Sequence, residues 1–272
     1  MFQTIRAEGR LYLRLIGMQI RAQMQYKVDV TVNVLTYFLV SLAEFTQIFL
    51  VFGAFATLGG WNAGEVALVY AITSIAFGLA ELFGAGIDVF PDIIRKGEFD
   101  RMLLRPVGAL LQVATSDFKL RRFGRITQGI LTLGIALALL GGIRWTVGKL
   151  IVLSLGVLSG ATIFISVLLL GATICFWTVE TTELTNIATY GGREMLSWPL
   201  TIYHQSLQRL FVFVVPLAFG TFIPACYLLD RPLPFDLPAA LAFAAPLVAL
   251  AFALVARLAW GFGVRHYQST GN

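Results

Sequence analysis

Long uncharged runs of apolar residues alternate with short charged connections along this chain. A membrane-spanning helix needs about 20 mostly apolar residues, and four runs reach that length: 126–143, 150–179, 210–229 and 237–256. Two further runs, 30–58 and 66–89, reach it only if Glu44 and Glu81 lie inside the membrane. The pattern predicts an all-α polytopic protein with six transmembrane helices, forming one transmembrane domain over residues 1–272.

Composition excludes an ordinary soluble domain. Of the 272 residues, 58% are hydrophobic and 13% are charged, whereas soluble domains are about a quarter charged. The mean hydropathy is +0.81. Cys175 and Cys226 lie far apart in apolar surroundings, so no disulfide framework or metal-binding motif is predicted.

The basic residues lie at the ends of the apolar runs. With a cytoplasmic N-terminus, 17 Lys and Arg residues fall in inner segments and 3 fall in outer connections. Cytoplasmic loops carry such an excess, so we expect both termini in the cytoplasm and the chain in the plasma (cell inner) membrane. This count places Arg193 and Arg209 inside and Arg144, Lys149 and Arg231 outside. It accounts for the net charge of +5 without a nucleic-acid partner.

The first 27 residues predict an amphipathic helix. At 100° per residue, Arg6, Arg10, Arg14 and Arg21 fall within an arc of roughly 80°. The far side carries Ile5, Leu13, Leu15, Ile16 and Ile20. Such a helix lies in the inner headgroup layer with its arginines toward anionic lipid, which makes membrane lipid an expected partner. The alternative is a plain basic flank of the first span.

The longest inner connection, 91–112, mixes both signs of charge with apolar residues. Its charged residues are Asp92, Arg95, Lys96, Glu98, Asp100, Arg101 and Arg105, interleaved with Ile93, Ile94, Phe99, Met102, Leu103 and Leu104. A short helix that docks on a soluble partner explains this pattern, because a solvated loop has no need of Phe99 and the leucines.

The same connection also contains the first motif that resembles a known family. Gly97, Glu98, Asp100, Leu103, Arg105 and Pro106 resemble the G-E-x-D-x-x-L-x-R-P run that follows the second membrane helix of type-2 ABC transporter permeases. The stretches 176–186, 197–203 and 213–229 are similar to later blocks of that family, in the same order. The resemblance covers nearly the whole chain.

The resemblance implies a permease subunit of an ATP-driven exporter. Two such chains, identical or related, would pair to form the translocation pathway, and ABC ATPase subunits would bind on the cytoplasmic side. A coupling helix over residues 91–106, between spans two and three, would transmit the nucleotide-driven motion. The residues to which the family pattern assigns this role are Asp92, Arg95, Lys96, Gly97, Glu98, Phe99, Asp100, Arg101 and Arg105.

No pattern on the chain predicts catalysis. A phosphate-binding G-x-x-x-x-G-K-[ST] loop is missing, and its nearest imitation at 142–149 has the wrong spacing. The two histidines, His204 and His266, lack metal-ligand spacing, and no G-x-S-x-G motif occurs. We therefore expect no cofactor on this chain, with ATP and Mg bound by the partner ATPase.

Glu44 and Glu81 stand out, because a charge at the bilayer centre costs about 2.5 kcal/mol or more. One interpretation places them on the translocation pathway, in contact with polar groups of the substrate. The other places them in packing, protonated or hydrogen-bonded to a neighbour such as Asn33, Gln47 or Thr73. Both interpretations keep them away from lipid.

Three further observations bear on shape and function. Pro216 and Pro224 cannot donate backbone hydrogen bonds, so the fifth span is expected to kink or break, and the resemblance implies re-entrant outer hairpins. Glu180 and Glu183 share a helical face at the end of the fourth span, as an exposed helix end or an acid–base pair. A secondary transporter or channel that works without an ATPase is the alternative function, although the chain shows no internal repeat.

Overall fold

The computed structural model describes residues 2–178 and 186–268, without the side chains of residues 2–8 and 188. These residues form helices and turns, with no β-strand among them. The α-helices are α1 (Phe2–Gln23), α2 (Lys27–Ala54), α3 (Ala63–Asp88), α4 (Phe90–Arg95), α5 (Glu98–Leu103), α6 (Ala109–Ala114), α7 (Phe123–Leu140), α8 (Val147–Ile174), α9 (Gly192–Leu196), α10 (Gln205–Arg209), α11 (Phe222–Leu228) and α12 (Ala245–His266).

Within the described residues, five helical runs are long and apolar enough to cross a membrane, or six if one sharply bent pair counts as a span. The prediction of an all-α polytopic membrane protein is confirmed. The straight runs contain α2, α3, α7, α8 and α12, which correspond to predicted spans one, two, three, four and six. The sixth span lies further along the chain than predicted, since α12 continues to His266 and a 3₁₀ turn, Ala239–Ala244, precedes it.

Helix α3 forms the centre of the bundle. A capping box at Asn62 and Glu65 begins it, with each side chain bonded to the other residue's backbone N–H at 3.0 and 2.9 Å. From Val66 to Ala80 every described side chain but one is buried, against α2, α7 and α8. This explains why the run reads as continuously apolar, since a helix that is hydrophobic all round is buried by its neighbours.

The two ends of the bundle differ in charge. We call the end at which α2 and α7 begin the basic end, because it carries Arg95, Lys96, Lys119, Arg121 and Arg122. The opposite end carries Trp61, Lys149 and Arg231, and we call it the Trp61 end. Helices α3, α8 and α12 all end at the basic end.

The predicted amphipathic helix is present as α1, and it packs on the basic end. Ile16 is buried against Leu82 and Phe118. Gln23 donates a hydrogen bond to the carbonyl oxygen of Phe118, whereas Leu13 on the same apolar side is 69% exposed. The apolar side of α1 is therefore shared between the protein and its surroundings.

The prediction that 210–229 crosses the membrane as the fifth span is wrong. The two halves of this segment, Gln205–Val214 and Leu217–Leu228, are bent by 79°. The chain enters this segment just after Thr201, which accepts a hydrogen bond from Trp61 at 2.9 Å. It leaves beside Lys149, whose ammonium donates to the Leu228 carbonyl at 2.8 Å. Both contacts lie at the Trp61 end, so the segment is a re-entrant hairpin.

The hairpin turns near the middle of α8. A Cβ atom on Gly220 would lie 2.1 Å from Cα of Gly160, so only glycine permits this contact. The predicted break is confirmed at Pro216, the junction of the two halves. Pro224 does not break α11, because it lies in the first turn, where a missing N–H leaves no helical bond unmade.

The fifth crossing is made instead by 186–202. Tyr190 reaches Asp88 at the basic end, with 3.4 Å between the phenol and carboxylate oxygens. Thr73 donates to the Leu196 carbonyl at 2.8 Å further along, and Thr201 lies at the Trp61 end. The charge count was therefore wrong for two residues: Arg193 lies within the bundle, and Arg209 precedes the hairpin at the Trp61 end.

Candidate functional site

The predicted docking segment, 91–106, folds as α4 and α5 at the basic end. Pro91 lies in the first turn of α4. Backbone N–H groups in a first turn have no partner within the helix, so proline costs no helical hydrogen bond there. Gly97 joins the two helices with φ of 65°, a left-handed conformation that glycine adopts without strain. Two short helices separated at Gly97 result, rather than one continuous coupling helix.

The outward face of this segment combines apolar and basic side chains. Leu104 is 86% exposed and Leu103 44% exposed, between the exposed Arg101 and Arg105. The ion pairs Arg95–Asp92 and Arg101–Glu98 are local contacts, one helical turn apart. Leu103 and Leu104 thus form an exposed apolar surface beside exposed arginines at the basic end.

Phe99, which the sequence assigns to the same docking role, points into the protein instead. It is fully buried, with its ring centroid 5.2 Å from Phe90, 5.0 Å from Tyr267 and 5.6 Å from Phe176. Trp260 of α12 completes this aromatic cluster. Phe99 therefore anchors the docking segment to the ends of α8 and α12.

Asp100 also faces the chain that follows α12. Burial raises the pKa of the Tyr267 phenol to about 12, and the adjacent Asp100 carboxylate adds to this shift. The phenol, which is protonated at neutral pH, lies beside the Asp100 carboxylate and can donate toward it. Of the predicted docking residues, Arg95, Lys96, Arg101 and Arg105 are the exposed basic ones.

Glu44 and Glu81 take part in one buried charge network with Arg125 and Arg193. Arg193 contacts the Glu44 carboxylate at 2.7 Å, and Arg125 contacts the same oxygen at 3.4 Å. Arg125 Nε also lies 3.0 Å from Glu81 Oε2, at ion-pair distance but without hydrogen-bond alignment. The network joins α2, α3, α7 and α9 across the bundle.

Further contacts surround this network. The Arg125 guanidinium lies 5.5 Å from the Phe77 ring centroid, and Arg193 lies 5.9 Å from the rings of Phe77 and Tyr70. Arg122 donates a hydrogen bond to the Glu81 carbonyl oxygen. The aromatic faces and carbonyl oxygens thus stabilise guanidinium cations, which lipid hydrocarbon would not stabilise.

The partners of Glu44 and Glu81 differ from those considered in the sequence. Asn33 is bonded to Asp29, and Thr73 donates to Leu196. The sequence missed Arg125 because it stands at the edge of the apolar run 126–143, and it missed Arg193 because that residue lies in a predicted inner connection, where arginine usually faces water. A role for Glu44 and Glu81 in the translocation pathway stays a prediction.

Two other expectations concern chemistry. Glu180 and Glu183 lie outside the described residues. In the part of the chain that the structure describes, no three His, Cys, Asp or Glu side chains are grouped to hold a metal ion. His204 instead caps α10, its Nδ1 accepting from the Ser206 backbone N–H at 3.3 Å.

Comparison with known proteins gives one match. A family model described as "ABC-2 family transporter protein" matches residues 38–271. This region contains the docking segment, the buried charge network and the re-entrant hairpin. No curated protein matches the chain, and no solved structure does.

Proposed function

Since the chain belongs to the ABC-2 family of transporter proteins, we propose that it is the permease subunit of an ATP-driven exporter whose ATPase subunits are separate chains. The basic end then faces the cytoplasm of the plasma membrane, in keeping with the excess of Lys and Arg there. The direction of transport rests on the resemblance to type-2 ABC permeases.

The observation that carries this proposal is the outward face of α5 and of the two residues that follow it, which we call the docking face. Leu103 and Leu104 are exposed beside Arg101 and Arg105 at the basic end, where a soluble ATPase would bind. The other face of the same helix is fixed by the buried Phe99. A partner that moves α5 therefore moves a segment that is packed against α8 and α12.

A second permease chain, identical or related, completes the pathway in this proposal. Helices α2 and α12 are the least buried of the long helices that the structure describes. Their exposed apolar residues include Val28, Val32, Leu35, Leu250 and Leu254. These faces provide apolar surface for lipid and for a second chain.

The test is binding of an ATPase encoded beside this chain in its genome. We expect the co-expressed ATPase to copurify with the tagged permease and to hydrolyse ATP in the complex. Leu104→Asp places a charge in the docking face, and we expect it to reduce recovery of the ATPase at least tenfold. Arg101→Glu should reduce it as well.

Arg265→Glu is the matched control, because Arg265 is exposed at the same end but outside the segment. This variant should recover as much ATPase as the unmodified chain. Undiminished recovery with Leu104→Asp would contradict docking at α5. Transport activity in vesicles that hold the permease without any ATPase would instead support a secondary transporter or channel.

A further inference from the structure

Two neighbouring grooves lie where α1 turns into α2, at the basic end. The first holds about 400 Å³ between the start of α2 and the connection before α7, and it is lined by Ala22, Gln23, Tyr26, Asp29, Val30, Asn33, Lys119 and Arg121. The second also holds about 400 Å³ and is lined by Val30, Thr31, Val34, Leu35, Phe38, Gly124 and Thr127. Val30 lines both grooves, so the two adjoin at this residue.

The first groove has a mixed polar and apolar lining that includes two cations, Lys119 and Arg121. The Arg121 guanidinium lies 4.9 Å from the ring centroid of Tyr37, while its buried Nε has no hydrogen-bond partner among the described residues. Lys119 lies 3.0 Å from Asp117 and shares its charge with that carboxylate. Asp29, the acidic residue of the wall, accepts a hydrogen bond from Asn33 at 2.9 Å. Arg121 is therefore the group with unused capacity for an anion.

The second groove is apolar and follows the crossing of α2 and α7. A Cβ atom on Gly124 would lie 2.3 Å from the Val34 carbonyl oxygen, so the two helices touch there. Beside this contact their surfaces diverge, which leaves a channel lined by Val30, Leu35 and Phe38. This channel faces the membrane, because α2 and α7 are both membrane-spanning runs.

We propose that these grooves form one binding site for a glycerophospholipid, with its phosphate at Arg121 and Lys119 and one acyl chain between α2 and α7. The order of the two halves fits this ligand: the cations lie where the spans begin, at headgroup level, and the apolar channel leads into the hydrocarbon. A soluble phosphate compound would leave the channel empty. The site holds the α1–α2 elbow against the connection before α7.

The test measures binding of palmitoyl-oleoyl phosphatidylglycerol to the delipidated full chain in detergent. We expect one tightly retained lipid per chain by native mass spectrometry. Arg121→Ala should lower its affinity at least tenfold by removing the phosphate contact. Thr127→Phe should do the same by filling the channel, and since Thr127 is exposed this change leaves the buried packing intact.

Controls separate the two halves of the ligand. Glycerol phosphate, which has no chains, and dioleoylglycerol, which has no phosphate, should each bind at least tenfold more weakly than the phospholipid. Arg257→Ala removes an exposed arginine from α12 and should leave the retained lipid unchanged. Equal affinity of dioleoylglycerol, or full retention by folded Arg121→Ala and Thr127→Phe chains, would overturn the proposal.

Discussion

Glu44, whose side chain is 29% exposed, illustrates how carboxylates within the bundle are paired with arginines. Arg193 and Arg125 both contact its carboxylate, and Arg125 also contacts Glu81. Removing one partner of such a buried pair is costly, because it leaves an uncompensated charge in a medium of low dielectric constant. Arg193 also contacts Glu194, a more exposed carboxylate at 3.2 Å.

We predict that Glu81→Gln destabilises the folded chain by about 1 to 3 kcal/mol, less than the cost of breaking an isolated buried pair, because Arg125 keeps its contact with Glu44 at 3.4 Å. The reason is that Arg125 loses its 3.0 Å partner. Detergent melting curves, followed by size-exclusion fluorescence, would measure the change. Glu194→Gln is the matched control and should cost less than about 1 kcal/mol, since exposed pairs contribute little.

The double variant Glu81→Gln with Arg125→Gln gives the converse test. It removes both charges, so its melting temperature should lie closer to that of the unmodified chain than the melting temperature of Glu81→Gln does. If the Glu81→Gln variant melts together with the unmodified chain, the ion pair with Arg125 does not contribute to stability.

At the scale of elements, the re-entrant hairpin depends on contacts at its exit and at its tip. Lys149 contacts Asp230 at 2.7 Å, and the Arg231 guanidinium holds Glu65 through two contacts of 2.8 Å. Arg231 also lies 4.5 Å from the ring centroid of Trp61. These contacts hold the exit of the hairpin at the Trp61 end, with Gly220 against Gly160 at its tip.

We predict that Gln205 and Asp236, which flank the hairpin, lie on the same side of the membrane. Single cysteines at these exposed positions would be introduced into a chain whose buried Cys175 and Cys226 are replaced by alanine. A membrane-impermeant maleimide should label both positions in intact cells. Lys96→Cys, at the basic end, should be labelled only after the membrane is opened.

This labelling distinguishes the hairpin from the straight span expected from hydropathy. A straight span would place Gln205 with Lys96 and opposite Asp236. Protection of Gln205→Cys together with Lys96→Cys would therefore refute the re-entrant geometry.

Across the whole molecule, the aromatic cluster around Phe99 connects the docking segment to two long helices. Phe90 and Phe99 pack on Phe176, which follows α8, and on Trp260 of α12. Close packing of this kind transmits displacement, because protein interiors are dense and barely compressible. The ATPase-driven motion proposed above would reach the membrane through these contacts.

We predict that Phe99→Ala preserves ATPase binding but uncouples it from the permease. A cysteine at the exposed Phe213 of the hairpin would report the motion through its maleimide labelling rate with and without ATP. We expect the ATP-dependent change in rate to fall at least fivefold in Phe99→Ala. Phe99→Leu keeps most of the buried volume and should show a smaller loss.

Phe262→Ala is the control for this prediction, since Phe262 is an exposed aromatic residue of α12 outside the buried cluster. Its response to ATP should match that of the unmodified chain. A full response in folded Phe99→Ala would exclude the cluster as the connection, whereas loss of ATPase binding would show that Phe99 supports the docking face itself.

The sequence by itself determined the fold class and five of the six crossings. Burial in lipid requires long apolar runs, and such runs are local patterns. Tertiary structure alone decided the rest: 186–202 crosses the bundle although it contains Arg193, because Glu44 of a distant helix neutralises that charge. The break at Pro216 could be predicted from the sequence, but the more apolar 210–229 folds back there because Gly220 fits against Gly160 of a distant helix. Likewise, Phe99 lies inside the protein because it packs against Phe176 and Trp260, which are distant in the sequence. Hydropathy measures each segment alone, whereas paired charges and close contacts join residues far apart in the chain.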